Sequence, residues 1–158
     1  MAKAQNPVPE TFGTLTAHLT VKGCADYIDF LKRAFNAVEV GRMPGPDGKV
    51  MHAQVRIGNS NLMLADDFPE FASAPIAEGR WPLALHLYLP DADAAFAQAA
   101  GAGCHITMPL ADQFWGDRYG QLKDPFGFTW SIATHTEDLT PAEMQERQAK
   151  MFGGSAGA

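Results

Sequence analysis

Apolar and polar residues alternate from Thr14 to Val21, with Leu15, Ala17, Leu19 and Val21 on one side and Thr14, Thr16, His18 and Thr20 on the other. A two-residue period belongs to a strand with one buried face. Leu83 to Leu89 repeats it, setting Leu83, Leu85, Leu87 and Leu89 against Ala84, His86 and Tyr88. After each strand the period lengthens to that of a helix, through Tyr27, Phe30, Leu31, Ala34 and Phe35 in one case and Ala92, Ala95, Phe96, Ala99 and Ala100 in the other. Asn36 and Gly101-Ala102-Gly103 supply the stop signals. Three more strands are predicted in each half: Val38 to Met43, Lys49 to Ile57 and Asn61 to Ala65, then His105 to Leu110, Asp117 to Lys123 and Thr129 to Ala133. Pro46-Asp47-Gly48 reads as a hairpin turn.

A constant offset of 68 residues aligns the halves, placing His18 on His86, Gly48 on Gly116, Leu64 on Ile132 and Ala65 on Ala133. Together with the shared strand-helix-strand-strand-strand order, this reads as an internal duplication. The expected fold class is α+β, with a βαβββ module over 12–67, a linker over 68–82, a second module over 83–137, a C-terminal helix over 138–152 and a flexible tail over 153–158. The helix start is marked by the capping-box spacing of Thr140 and Glu143 with Pro141 between them. Met144, Gln148, Met151 and Phe152 give that helix one narrow apolar stripe, suited to docking on the sheet or on a partner subunit.

Composition narrows the function classes. A chain of 158 residues with 46% hydrophobic residues buries enough surface to fold without disulfides or structural metals. Cys24 and Cys104 match no disulfide or metal-site spacing, so a reducing cytoplasm is expected. Cys24 opens a helix, which leaves a reactive thiol as the alternative to a structural one. Twelve basic residues against 18 acidic ones give a net charge of −6 without a basic cluster, which argues against nucleic acid and anionic membranes as partners. No signal-peptide core stands at the N-terminus, and the longest uncharged stretch, Ala94 to Ala111, is interrupted by Gln98, Gly101, Gly103, His105 and Pro109.

If the leucine-rich faces pack on the helices, the opposite faces carry Thr14, Thr16, His18 and Thr20, then His52, Gln54 and Arg56, then Asn61 and Met63, then Ala84, His86 and Tyr88, then Thr129 and Ser131. A solvated sheet face carries more Lys and Glu. Histidines, hydroxyls and amides suit the lining of a polar cavity. His52, Gln54 and Arg56 lie along one strand face where an anionic or amide-bearing ligand can touch all three, or Arg56 is simply solvated. Between Gln113 and Gly120, Trp115 can lid such a cavity while Asp117 and Arg118 orient a ligand; alternatively the aromatics fill core and Asp117 pairs with Arg118.

Several segments carry a resemblance: Thr-Ala-His-Leu-Thr-Val at 16–21, Met-His-Ala-Gln-Val-Arg-Ile-Gly at 51–58, Leu-Met-Leu-Ala-Asp-Asp at 62–67, His-Leu-Tyr-Leu at 86–89, Phe-Trp-Gly-Asp-Arg-Tyr-Gly at 114–120 and Asp-Pro-Phe-Gly-Phe-Thr-Trp-Ser-Ile-Ala-Thr-His at 124–135. With the paired βαβββ order, the chain over roughly 12–140 resembles the vicinal oxygen chelate superfamily, in particular its glyoxalase and bleomycin-resistance-like branch, the PhnB-like proteins. The resemblance implies tandem modules whose curved mixed sheets enclose a cleft, and a homodimer. It also implies metal ligands on the first and last strands of each module, positions that fall on Thr16, Met63, Ala84 and Ser131. These suit a hard divalent ion badly. The expectation is therefore no metal cofactor, with a shifted His18 and His86 site for zinc, nickel, manganese or iron as the alternative.

No Gly-x-Ser-x-Gly elbow, phosphate loop or dinucleotide fingerprint occurs, and nothing supports methyl transfer from S-adenosylmethionine. The expected function is binding of a small polar or aromatic molecule in a cleft lined by His18, His52, Gln54, Arg56, Met63, His86, Tyr88, Trp115, Asp117, Arg118 and Ser131. The alternatives are a lyase, isomerase or dioxygenase using the shifted site or His52 as general base, and a dimeric scaffold with a vestigial cleft.

Overall fold

Among the described residues eight strands pair into two four-stranded sheets, each with one helix packed on one face. The computed structural model describes residues 8, 9, 11–69 and 83–153, with backbone alone at 152 and 153. Residues 70–82 of the predicted linker, 154–158 of the predicted tail and the Phe152 side chain lie outside that description. The chain divides into two units, Met1–Glu78 and Gly79–Ala158.

In the first unit β1 (Ala17–Val21), α1 (Cys24–Phe35), β2 (Val38–Pro44), β3 (Val50–Ile57) and β4 (Ser60–Asp66) follow in order. The sheet runs β1-β4-β3-β2, with β1 parallel to β4 and the other pairs antiparallel. Tyr27, Ile28, Leu31 and Ala34 of α1 are buried against the sheet face that carries Leu19, Val21, Ala53, Val55, Leu62 and Leu64. Two left-handed residues bound the helix, Gly23 at φ 82 and Asn36 at φ 54. Because Gly23 has no side chain to cap with, Asp66 at the end of β4 does so. Its Oδ1 accepts from the N–H groups of Gly23 and Cys24, both at 3.0 Å, and its Oδ2 accepts from Val50 N–H at 2.7 Å.

The second unit repeats the order with β5 (Ala84–Tyr88), α2 (Ala92–Gly101), β6 (His105–Asp112), β7 (Asp117–Lys123) and β8 (Thr129–His135), sheet order β5-β8-β7-β6. Here Asp91 caps α2, accepting from Ala94 N–H at 2.9 Å, and Thr134 of β8, in the place of Asp66, accepts from Ala92 N–H at 2.8 Å and donates to Leu89 O at 2.7 Å. Trp130, Ile132 and Leu122 face α2 as core, and Gly120 stands where a Cβ would lie 2.7 Å from Phe96. α3 (Pro141–Gly153) ends the described chain, and its start is the expected capping box: Glu143 Oε2 accepts from Thr140 N–H and O–H at 2.8 and 2.7 Å. On its apolar stripe Met144 is half-buried, while Gln148 and Met151 are exposed.

Two readings of the sequence are corrected and one alternative is removed. The first strand starts at Ala17, not Thr14, and Leu15 is 93% exposed instead of core-facing. Among the described residues β1 is an edge strand that pairs with β4 from Leu62 opposite Ala17, while the side-chain amide of Asn61 bonds Thr11 O and Gln54. The offset is also not uniform. Met63 and Ser131 are 68 apart, but Gln54 and Gln121, which pair with them, are 67 apart, so Gly48 and Gly116 are not equivalent. The cause is the last turn of each unit, two residues between Ile57 and Ser60 against three between Asp124 and Phe128, whose N–H and O close at 2.9 Å. Finally, Cys24 is fully buried, and that burial, with Asp66 nearby, pushes its thiol up to about 12, so the reactive-thiol alternative fails.

Candidate functional site

Strand alternation fixes which side chains share the helix-free face of the second unit. β5 presents His86 and Tyr88, β8 presents Ser131 and His135, and β7 presents Asp117, Tyr119 and Gln121. These residues, joined by Met108 of β6 and Trp115 of the preceding loop, surround a cavity of about 500 Å³; Ser131 and His135 stand behind the lining. The His86 ring meets Tyr88 edge-on at 4.5 Å and lies nearly parallel to Tyr119 at 5.9 Å, while Trp115 meets Tyr119 edge-on at 5.5 Å.

Asp117 organises this wall. Only 4% exposed, its Oδ2 accepts from Tyr88 O–H at 2.8 Å and Trp115 Nε1–H at 3.0 Å, and its Oδ1 bonds His135 Nδ1 at 2.8 Å. Burial pushes its carboxyl up, but the bonds from His135, Tyr88 and Trp115 outweigh burial and hold it below the usual range. His135 Nε2 bonds Asp138 at 3.0 Å, so the imidazole lies between two carboxylates and its pKa is raised, chiefly by Asp117. Further along the face, His86 Nδ1 bonds Ser131 Oγ at 2.7 Å and Gln121 Nε2 donates to Tyr119 Oη at 2.7 Å.

Arg118 does not share this face. It alternates with Asp117 along β7 and is turned toward α2, where Nε and Nη2 bond Asp93 at 2.5 and 2.7 Å and Nη1 bonds Asp112 at 3.2 Å. Neither orienting a ligand beside Asp117 nor pairing with it describes this arginine. Gly116, at φ 90, permits the chain to turn into β7 against Glu137, whose carbonyl would lie 2.5 Å from any added Cβ.

The helix-free face of the first unit holds His18, His52, Gln54, Arg56 and Met63. Met63 pairs with His18 on one side and Gln54 on the other, and the His18 and His52 rings meet edge-on at 5.7 Å. Gln54 donates to Asn61 at 2.9 Å, and Arg56 is exposed. Burial, then His52, lowers the pKa of His18.

The four positions at which the resemblance places metal ligands do not fit a hard divalent ion. Thr16 precedes β1, Ala84 has no donor, Met63 offers a thioether, and the Ser131 hydroxyl is bonded to His86. Among the described residues, no three His, Cys, Asp or Glu side chains converge on one point. Of the two imidazoles in the shifted alternative, His18 meets His52 edge-on and His86 is hydrogen-bonded to Ser131.

The sequence reading missed Tyr119, Gln121 and Met108 of the lining and His135 behind it. The signal for three of them was the alternation itself, two and four residues on from Asp117 and four on from Ser131.

Two βαβββ units, each with a helix on one face of its sheet and a polar, imidazole-bearing opposite face, define the class of protein. Residues 12–132 match the sequence profile of the Glyoxalase/Bleomycin resistance protein/Dioxygenase superfamily, and the chain belongs to that superfamily. It is 42% identical over 144 residues to an uncharacterized Mycobacterium bovis protein, covering 89% of this chain and 95% of that one. Among solved structures it is similar to TioX from Micromonospora sp. ML1, with a TM-score of 0.64, 24% identity, and coverage of 78% of this chain and 98% of that one. An Arabidopsis thaliana gene product superposes with a TM-score of 0.63 at 26% identity, covering 77% and 98%. Among the described residues no helix is long and apolar enough to cross a membrane.

Proposed function

We propose that the protein binds a small aromatic or polar molecule on the open face of its second unit and does so without the family's usual divalent metal. The observation that carries this reading is the 500 Å³ cavity, walled by His86, Tyr88, Trp115, Tyr119 and Met108, with Asp117 and Gln121 as its fixed polar groups. Apolar walls with a few converging polar groups are what a small ligand needs, the rings for stacking and the polar groups for orientation. Asp117 acts through the rings it holds. Bonding both Tyr88 and Trp115, it fixes two walls that an ordering cost would otherwise weaken.

Fluorescence in a Trp81→Phe background tests the reading, because Trp115 lines the cavity whereas Trp130 is buried in the core. A panel of planar aromatic compounds bearing amine or amide donors is expected to contain members that quench Trp115 and raise the melting temperature by mass action. Tyr119→Ala abolishes both responses. A panel that shifts neither signal overturns the reading.

The quoted segments support placement in the PhnB-like branch, and the buried, reduced Cys24 and Cys104 support a cytoplasmic setting. A homodimer is also proposed, resting on the family resemblance. Sedimentation equilibrium is expected to return twice the 17.1 kDa chain mass; a chain-mass species at micromolar concentration contradicts it.

A further inference from the structure

We propose that His18, His52 and Met63 form a binding site for a soft monovalent metal ion, with Cu(I) the physiological candidate. The site is built from the first unit alone, and the geometry of its sheet creates it. β4 lies between β1 and β3, so two strand spacings, roughly 9–10 Å, separate the backbones that carry His18 and His52. Yet the two rings approach to 5.7 Å between centroids at 73°, leaning inward over β4. Ala65 makes this possible. It pairs with Thr20 on β1, and the register of β3 sets it level with His52, so the neighbour of His52 on β4 is only a methyl group. Met63, the next residue on the same face of β4, pairs directly with His18. Its side chain therefore stands on the same open face as both imidazoles.

Metal–nitrogen bonds of about 2 Å from one nitrogen of each ring are compatible with that centroid separation. Met43 pairs with His52 on β2 and brings a second thioether to the edge of the group. Imidazole and thioether without a carboxylate form a soft donor set, suited to Cu(I) and poor for magnesium, calcium or manganese.

The second unit shows what the same scaffold does with other donors. In the places of His18, Met63, Ala65 and His52 stand His86, Ser131, Ala133 and Tyr119. There a hydroxyl bonds the imidazole at 2.7 Å and a phenol ring lies nearly parallel to it, so the residue paired with the imidazole on the central strand brings a hydroxyl in place of sulfur. The two thiols do not compete for the ion, since Cys24 and Cys104 are buried and burial pushes both up to about 12.

Anaerobic titration of untagged protein with Cu(I), in competition with bicinchoninate, tests the site. One Cu(I) per chain is expected, undisplaced by equimolar Zn(II). Met63→Leu keeps the side-chain volume and is expected to weaken binding by an order of magnitude or more. His52→Ala abolishes it, and His105→Ala, on exposed β6, leaves it unchanged. Far-UV circular dichroism confirms that each variant is folded. Wild type that takes up no Cu(I), Met63→Leu or His52→Ala at full affinity, or ready displacement by Zn(II) overturns the proposal.

Discussion

Asp66→Ala is expected to lower stability by about 3–4 kcal/mol, because three backbone donors lose one shared buried acceptor. The carboxylate is 7% exposed and ties the start of α1 and the start of β3 to the end of β4. Replacing a cap alone costs about 1 kcal/mol, and each buried N–H left unpaired adds about 1–3 kcal/mol, offset in part by no longer burying a charge. At about 2–4 °C per kcal/mol for a chain of this size, the melting temperature falls by about 10 °C. Denaturant titration with an unchanged slope checks it, and a loss below about 1 kcal/mol contradicts the account. Asp66→Asn is expected to fall between, since an amide retains one accepting oxygen for three donors.

Asp117→Asn is expected to remove the ligand response of the second unit and to return His135 toward the ordinary histidine value of 6.5. The carboxylate holds Tyr88, Trp115 and His135 at once; an amide oxygen accepts from fewer, and its NH₂ group opposes a donor. The sign of the pH dependence follows from the two shifts. Asp117 is lowered, so its contribution to stability is whole above the unfolded value of 3.8 and is lost as pH falls through its folded pKa. His135 is raised, so its contribution is whole below 6.5 and is lost as pH rises through its folded pKa. The wild type therefore has a plateau between about 3.8 and 6.5 that Asp117→Asn flattens at both edges. Proton NMR of the imidazole resolves the matter directly. An unshifted His135 in the variant would show that Asp138, its other partner, carries the effect.

The elements were largely legible because their periods are clean. β7 matches its expected span at both ends, and α1 buries the five residues its period named. Leu15 misled because alternation says which face a residue would take, not whether a partner strand is there to pair with. Arg118 misled for the opposite reason: its neighbour in sequence lies on the other face, and the attraction of Asp93 from α2 is a contact no local pattern encodes. The His18–His52 meeting was likewise hidden, for it depends on Ala65, a small residue on a third strand.

The unequal last turns of the two units bear on how such halves part company over time. A residue gained beyond the end of a strand shifts the numbering but leaves every later side chain on its original face, so Gln121 still meets Ser131 as Gln54 meets Met63. The same residue gained within β7 would have exchanged inside for outside along the rest of the strand. Length is thus free to drift only at the hairpin tips, while the chemistry of the open faces is edited one side chain at a time. That is how one architecture comes to hold two sulfur-and-imidazole positions in one half and a phenol and a hydroxyl in the other.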